Sequence, residues 1–80
     1  MAHTGVTTLD RLKTGETGTV IQLNNESGLK RRLMDMGLVQ GTRIECRQIS
    51  PLGDPVAYLI RGTVIALRRE DASKIEIVLQ

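Results

Sequence analysis

Five stretches of the chain are rich in aliphatic and β-branched residues and are bounded by turn residues, which is typical of short β-strands. In two of them apolar and polar residues alternate. Ile44 and Cys46 therefore share one face of their strand, and Ile75 and Ile77 share one face of the last strand. The pattern predicts strands at residues 17–23, 42–49, 56–60, 63–68 and 74–79.

Between the first two predicted strands the apolar positions change to the spacing of an α-helix, from about residue 27 to residue 36. The positions that share one helix face, at i, i+4 and i+7, are Leu29, Leu33 and Met36. Gly37 stands where helices commonly end in a left-handed residue, and Leu38 is placed to pack back on Leu33. The sequence therefore predicts a helix that stops abruptly in a Schellman motif.

Glycine and proline mark the connections between these elements. The segment at residues 50–55 holds two prolines and a glycine, which predicts a loop. Residues 61–62, Arg-Gly, separate two predicted strands and fit a two-residue hairpin turn. Near the N-terminus, Thr8 is predicted to cap one short helical turn that is closed by Gly15. Residues 70–73 are predicted to form a turn or a single helical turn.

Together these elements predict a mainly β domain with one short α-helix after the first strand. Closing such short strands into a barrel removes edges that would otherwise stay exposed. A small SH3-like five-stranded barrel fits the strand lengths and the helix position best, and an OB-like barrel is the nearest alternative. We expect a single domain over residues 8–80, preceded by a flexible polar tail over residues 1–7.

Composition limits the functions that this domain can have. Eleven Lys and Arg against nine Asp and Glu leave a formal charge of +2, which is less than is typical of a nucleic-acid-binding domain. Tyr58 is the only aromatic residue, so recognition of bases by stacking is not expected. A single cysteine and the lack of an apolar run of about 20 residues favour a cytoplasmic protein that does not insert into the membrane.

The sequence contains no recognisable catalytic, cofactor-binding or metal-binding set. His3 and Cys46 are the only histidine and the only cysteine, and Cys46 is expected in the core, whereas structural zinc needs four N or S ligands at tight spacing. A phosphate-binding glycine loop and a Ser-His-Asp set are both missing from the sequence. We therefore predict a protein that is not an enzyme and has no cofactor.

The run of cations at the start of the helix has two interpretations. Lys30, Arg31 and Arg32 fit a solvated helix face with snorkelling side chains, and Arg31 is spaced to pair with Asp35. The same cations would also suit an acidic partner surface. An exposed arginine such as Arg31 or Arg61 could in addition stabilise charge in a partner's phosphoryl transfer, although nothing in the sequence singles one out.

Met34 lies on the outer side of the predicted helix, where a polar residue is expected, and with Leu38 and Leu52 it could form an apolar contact patch. The loop at residues 53–55 reads most simply as a turn, but loops on rigid scaffolds often carry function. The predicted partner-binding residues are Lys30, Arg31, Met34, Leu38, Leu52, Gly53, Asp54 and Arg61.

Three motifs resemble the FeoA family of bacterial ferrous-iron transport accessory proteins. They are R-L-x-x-M-G-L at residues 32–38, G-D-P at residues 53–55 and A-L-R at residues 66–68. Each motif alone is weak, but the three in this order within 80 residues are specific, and the resemblance extends over residues 9–78. Only the N-terminal MAHTGV departs from the family pattern.

The resemblance implies a cytosolic SH3-like protein that assists the GTPase-linked ferrous-iron permease FeoB, and that reaches the inner membrane only through this partner. We hypothesise a regulatory module that docks through residues 28–36 and 51–55 on the cytosolic GTPase domain or the membrane part of FeoB. The alternatives are a nucleic-acid-binding barrel and a metal-sensing domain. A similar module forms the C-terminal domain of metal-dependent repressors of the diphtheria-toxin repressor type. This kinship implies transition-metal binding at the level of the family.

Overall fold

The computed structural model describes residues 5–23 and 28–79. The strands are β1 (Val6–Thr8), β2 (Thr17–Leu23), β3 (Arg43–Ile49), β4 (Val56–Ile60), β5 (Thr63–Leu67) and β6 (Ile75–Leu79). A 3-10 turn (Leu9–Arg11) follows β1, helix α1 (Gly28–Asp35) precedes β3, and helix α2 (Arg69–Ala72) precedes β6. No helix in the described part of the chain is long and apolar enough to cross a membrane.

The six strands form one antiparallel sheet in the order β1-β6-β2-β3-β4-β5. Its two seven-residue strands each contain an irregularity: the register of β2 against β6 shifts between Val20 and Gln22, and that of β3 against β4 shifts between Cys46 and Gln48. An extra residue in one strand bends it and increases its twist. The long strands therefore curve around the core.

The core is aliphatic, as the composition requires. Tyr58, the only aromatic residue, is fully buried, and its hydroxyl donates a hydrogen bond to the Leu9 carbonyl at 3.3 Å, which joins β4 to the 3-10 turn. A buried tyrosine needs such an acceptor for its hydroxyl. The other buried apolar residues are Leu9, Leu12, Val20, Leu33, Leu38, Ile44, Cys46, Val56, Ile60, Leu67, Ala72, Ile75 and Ile77.

Helix α1 ends in the predicted Schellman motif. The Leu38 amide donates to the Leu33 carbonyl at 3.0 Å, the Gly37 amide donates to the Met34 carbonyl at 2.9 Å, and Gly37 has φ 99°. The Thr42 hydroxyl adds a hydrogen bond to the Gly37 carbonyl at 2.9 Å. The prediction for the end of the helix is confirmed, whereas Ser27 and the side chain of Leu29 lie outside the described residues.

The hairpin between β4 and β5 also follows the prediction. Arg61 and Gly62 both have positive φ, 51° and 83°, which is the backbone of a type I′ turn. The N-terminal capping differs from the prediction: Thr8 precedes the 3-10 turn, but its hydroxyl donates to the Asp10 carboxylate and caps no backbone amide.

The sheet has one strand more than the five that the sequence predicts. Strand β1 lies antiparallel to β6, with Val6 opposite Val78, and the Leu79 amide donates to the Gly5 carbonyl at 2.8 Å. Residues 6 and 7, which were expected in a flexible tail, are strand residues. The strand is held by backbone pairing on the edge of β6, and its three residues carry no alternation that the sequence could reveal.

We expect Gly37→Ala to lower the free energy of unfolding by more than Gly41→Ala does. Both residues have positive φ, 99° and 91°, which costs an alanine about 1 kcal/mol. A Cβ on Gly37 would also lie 2.7 Å from Cδ of Arg61, whereas a Cβ on Gly41 meets nothing within 4 Å. Urea denaturation followed by circular dichroism measures the two losses. In a protein that already carries Arg61→Ala, the additional loss caused by Gly37→Ala should disappear. Equal losses in the two single variants would contradict this account of Gly37.

Candidate partner-binding surface

Helix α1 presents its cations to solvent. Lys30, Arg31 and Arg32 are all exposed, and Arg32 lies 3.7 Å from Asp71 of α2, measured from Nη2 to Oδ2. The Arg32 side chain is 65% exposed, so this pair adds little to stability. The predicted pair between Arg31 and Asp35 does not occur among the ion pairs of the described residues. Lys30 and Arg31 therefore leave positive charge at the helix surface.

Met34 lies beside a groove between α1 and β2 with a volume of about 240 Å³, which we call the helix groove. Met34 is 44% exposed, and Lys30, four residues earlier on the same helix face, also lines the groove. The residues that line the helix groove are Ile21, Gln22, Leu23, Lys30, Met34, Val39 and Gln40. A surface of mixed aliphatic and polar side chains with a cation at its side suits a partner that offers an apolar side chain next to a carboxylate.

Leu38, which was predicted to share the apolar patch with Met34, is fully buried. The same Schellman motif that stops the helix places the residue after Gly37 against the core, where Leu33 is also buried. Leu38 therefore stabilises the fold and offers no surface to a partner.

The loop at residues 51–55 projects Leu52 into solvent, with 96% of its surface exposed. The base of the loop is held by Arg69, the first residue of α2. The Arg69 amide donates to Asp54 Oδ1 at 2.9 Å, its Nε donates to the Gly53 carbonyl at 2.5 Å, and its Nη1 donates to the Asp10 carbonyl at 2.8 Å. One side chain thus ties the loop to the 3-10 turn.

The predicted partner residues fall into two patches. Strand β4 rises over about 13 Å from Val56 to Ile60; the loop precedes it, and Arg61 follows it. The Arg61 side chain lies against Gly37 at the end of α1, since a Cβ on Gly37 would lie only 2.7 Å from Arg61 Cδ. The loop patch comprises Leu52, Gly53 and Asp54, and the helix patch comprises Lys30, Arg31, Met34 and Arg61.

The orientation of α1 also determines where the helix groove lies. Arg32, on one side of the helix, reaches Asp71 of α2, and α2 begins at the residue that holds the loop. Met34 is two positions further along, about 200° around the helix axis, and lines the helix groove beside β2. The helix groove therefore lies on the side of α1 that faces away from the Arg32–Asp71 pair.

The comparisons with known proteins agree with the three motifs. A family model described as the FeoA domain matches residues 7–79. The chain belongs to the FeoA family. The Fe(2+) transport protein A/Fe(2+) transporter FeoB fusion protein of Porphyromonas gingivalis is 39% identical over 71 residues, which are 89% of this chain and 8% of that protein.

Solved FeoA structures have the same fold. Iron(II) transport protein A of Clostridium thermocellum is 36% identical, with a TM-score of 0.87 over 90% of this chain and 44% of that chain. FeoA of Stenotrophomonas maltophilia in complex with zinc, described as a prokaryotic SH3 domain protein, is 25% identical, with a TM-score of 0.77 over 91% of this chain and 88% of that chain. The prediction of a mainly β, SH3-like domain is confirmed, with six strands in place of five.

Several residues of these patches were missed by sequence reasoning in this FeoA-family chain. Ile21 lies at the register shift of β2 and lines the helix groove, but a shift in pairing has no signal in a single sequence. Val39 and Gln40 follow the predicted helix stop, so their place beside Met34 could have been inferred from it. Arg69 is one of two adjacent arginines, and only the structure shows that it holds the loop while Arg68 is exposed.

The described residues contain no group of three or more His, Cys, Asp and Glu side chains that could hold a metal ion, and His3 lies outside them. Cys46 is buried in the core, and this burial raises the pKa of its thiol, while the Thr14 side chain and Arg69 act in the opposite direction. Burial also raises the pKa of the Tyr58 hydroxyl. Both groups therefore keep their protons at neutral pH and serve the core.

We expect Arg69→Ala to lower the free energy of unfolding by about 1–3 kcal/mol, because it leaves the Gly53 and Asp10 carbonyls without their side-chain donor. Hydrogen exchange should become faster at the amide of Gly53, which donates to Ser50 within the loop. Arg69→Lys should recover little, since an ammonium cannot imitate the two arms of a guanidinium. The matched control is Arg68→Ala, which removes an exposed neighbouring cation; a similar loss there would contradict the role of Arg69.

We expect stability to fall as the pH rises above about 9. The folded state raises the pKa of Cys46 above its usual 9.0 and that of Tyr58 above its usual 10.0, so it binds more protons than the unfolded state in this range. Both groups contribute their full stabilisation at pH values below their unfolded-state pKa values. As the pH rises above these values, the free energy of unfolding falls by up to about 1.4 kcal/mol per pH unit for each group. Urea denaturation at a series of pH values measures the slope. Cys46→Ala should lower stability throughout but flatten the slope between pH 9 and 10, and an unchanged slope would argue against this role of the thiol.

Proposed function

We propose that this chain is a non-catalytic, cytosolic accessory protein of ferrous iron uptake that docks on the permease FeoB. The observation that carries the proposal is the Porphyromonas gingivalis protein, in which a relative of this chain and FeoB are one polypeptide. Fusion holds two modules at a high effective concentration, which is useful when they bind each other. The present chain spans 8% of that protein, and in this proposal the transport itself belongs to the remainder.

The helix groove is the docking surface that the side chains support best. It combines an exposed methionine with half-buried aliphatic residues from β2, and methionine adapts its shape to a partner. Lys30 and Arg31 supply positive charge that would speed the encounter with an acidic surface and fix its orientation. We place the GTPase domain of FeoB, or the cytosolic face of its membrane part, against this groove.

The loop patch is the second contact in this proposal. Leu52 is almost completely exposed on a loop whose base is fixed by Arg69, so an apolar pocket of the partner could receive it without ordering the loop. Because β4 separates the loop from Arg61 by about 13 Å, a partner that touches both patches must span at least this distance. Binding at both patches would favour one conformation of the permease over another, and this difference in affinity is how the domain would regulate it.

Chemical-shift mapping with the cytosolic GTPase domain of FeoB, with and without nucleotide, tests the proposal. We expect the amides of Lys30, Met34, Val39 and Gln40 to shift on titration. Lys30→Glu should weaken binding roughly three- to tenfold at low salt, because it reverses a charge beside the groove. Lys13→Glu changes the net charge equally at another exposed lysine, and it should leave the affinity unchanged.

A second pair of variants separates the two patches. Met34→Gln removes apolar surface at the helix groove, and Leu52→Gln removes it at the loop. If the GTPase domain contacts only the helix groove, Met34→Gln weakens binding and Leu52→Gln does not. If no amide shifts with the GTPase domain, the same titration with detergent-solubilised full-length FeoB decides whether the contact lies on the membrane part. An absence of shifts there as well would overturn the proposal.

A further inference from the structure

Strand β5 lies at one edge of the sheet and pairs only with β4 among the described strands. The two-residue turn at its start makes Ile60 and Thr63 a hydrogen-bonded pair, and such pairs alternate along an antiparallel ladder. The amide and carbonyl groups of Ile65 therefore point to β4, and those of Val64 and Ala66 point away from it. The outer edge of β5 presents two backbone donors and two acceptors at these two residues.

The edge lacks the devices that usually prevent strands from associating. The sequence TVIAL contains no charge and no proline, and the register of β5 against β4 runs without a shift. Val64 is 57% exposed, and Ala66 is exposed as well. An uncharged, regular edge strand of this kind invites another strand to pair with it. The edge at β1 is different, because it has only three residues.

Charge at the two ends of β5 argues against pairing with a second copy of the chain. Arg61 precedes the strand in the hairpin turn, and Arg68 and Arg69 follow it. In an antiparallel pair centred on Ile65, Gly62 of one copy would lie opposite Arg68 of the other, so the exposed Arg61 and Arg68 would come close together at both ends. Like charges that face each other across a sheet are destabilising. The occupant that matches these ends carries carboxylates.

A cavity of about 300 Å³ adjoins the far end of the strand. It is lined by Asp54, Pro55, Ala66 and Arg68, so two of its four residues belong to β5 or follow it directly. The Asp54 carboxylate already accepts the Arg69 amide, whereas Arg68 is exposed and makes no ion pair among the described residues. A carboxylate side chain of an added strand could enter this cavity and pair with Arg68.

We propose that the outer edge of β5 binds an extended segment of a partner protein, with β-branched residues in its middle and acidic residues at its ends. Backbone hydrogen bonds to Val64 and Ala66 supply affinity in this mode of recognition, and the cavity beside Arg68 supplies specificity. The edge of β5 is not part of the helix groove, so the inference holds whether or not that groove binds the permease.

Two blocked peptides test the proposal, Glu-Thr-Val-Thr-Val-Glu and its control Lys-Thr-Val-Thr-Val-Lys. On titration of the labelled protein with the acidic peptide, the amides of Val64 and Ala66 should shift and exchange more slowly, and that of Ile65, already bonded to β4, should change little. The acidic peptide should bind roughly tenfold more tightly than the basic one at low salt, and added salt should narrow the difference.

Variants separate strand addition from general attraction. Val64→Pro removes an amide that points away from β4, a position where an edge strand tolerates proline, and it should abolish binding. Val64→Thr keeps the amide and should bind. Arg68→Glu should reverse the preference between the peptides, and it serves as the test if the proline variant does not fold. Equal binding of both peptides, shifts confined to residues outside β5 and the cavity beside it, or dimers of the free protein that Val64→Pro abolishes would each overturn the proposal.

Discussion

The two seven-residue strands must bend for a sheet of this size to enclose a core. Each of them does so where its register shifts, β2 around Ile21 and β3 around Arg47, and the aliphatic side chains on the inner face then meet. A flat sheet of six short strands would leave this face in water, because the chain has a single aromatic residue to cover it. The curvature of the strands therefore encloses a core that has almost no large aromatic side chains. The bend in β2 also brings Ile21 to the helix groove, so one local irregularity serves both packing and the surface.

Local patterns account for what the sequence predicts well. The end of α1 and the β4–β5 hairpin depend on a few adjacent residues, and each contains a glycine with positive φ. The exposure of individual side chains was harder to predict than the ends of these elements. Leu38 was assigned to the partner face although it follows Gly37, and the geometry of that motif places it inside. The sequence therefore predicts where the helix stops better than which side chains remain exposed after it.

Long-range pairing accounts for what the sequence does not predict. Strand β1 exists because the edge of β6 offers it backbone partners, and Arg69 is important because residues 10 and 53 both lie within reach of its guanidinium. Neither feature has a periodicity or a motif. The same limit applies to the candidate site: helix and loop were each correctly expected at the surface, but their separation by the length of β4 follows only from the topology.

The single buried tyrosine has an optical consequence. With no tryptophan and no phenylalanine in the chain, Tyr58 is its only aromatic chromophore in the near ultraviolet, and it lies fully inside the core. Its absorbance and emission therefore report on the interior where β4 meets the 3-10 turn, without contributions from the surface. Excitation at wavelengths longer than those that tyrosine absorbs produces no emission from this domain. In a mixture, the emission then comes from the tryptophan residues of the other protein.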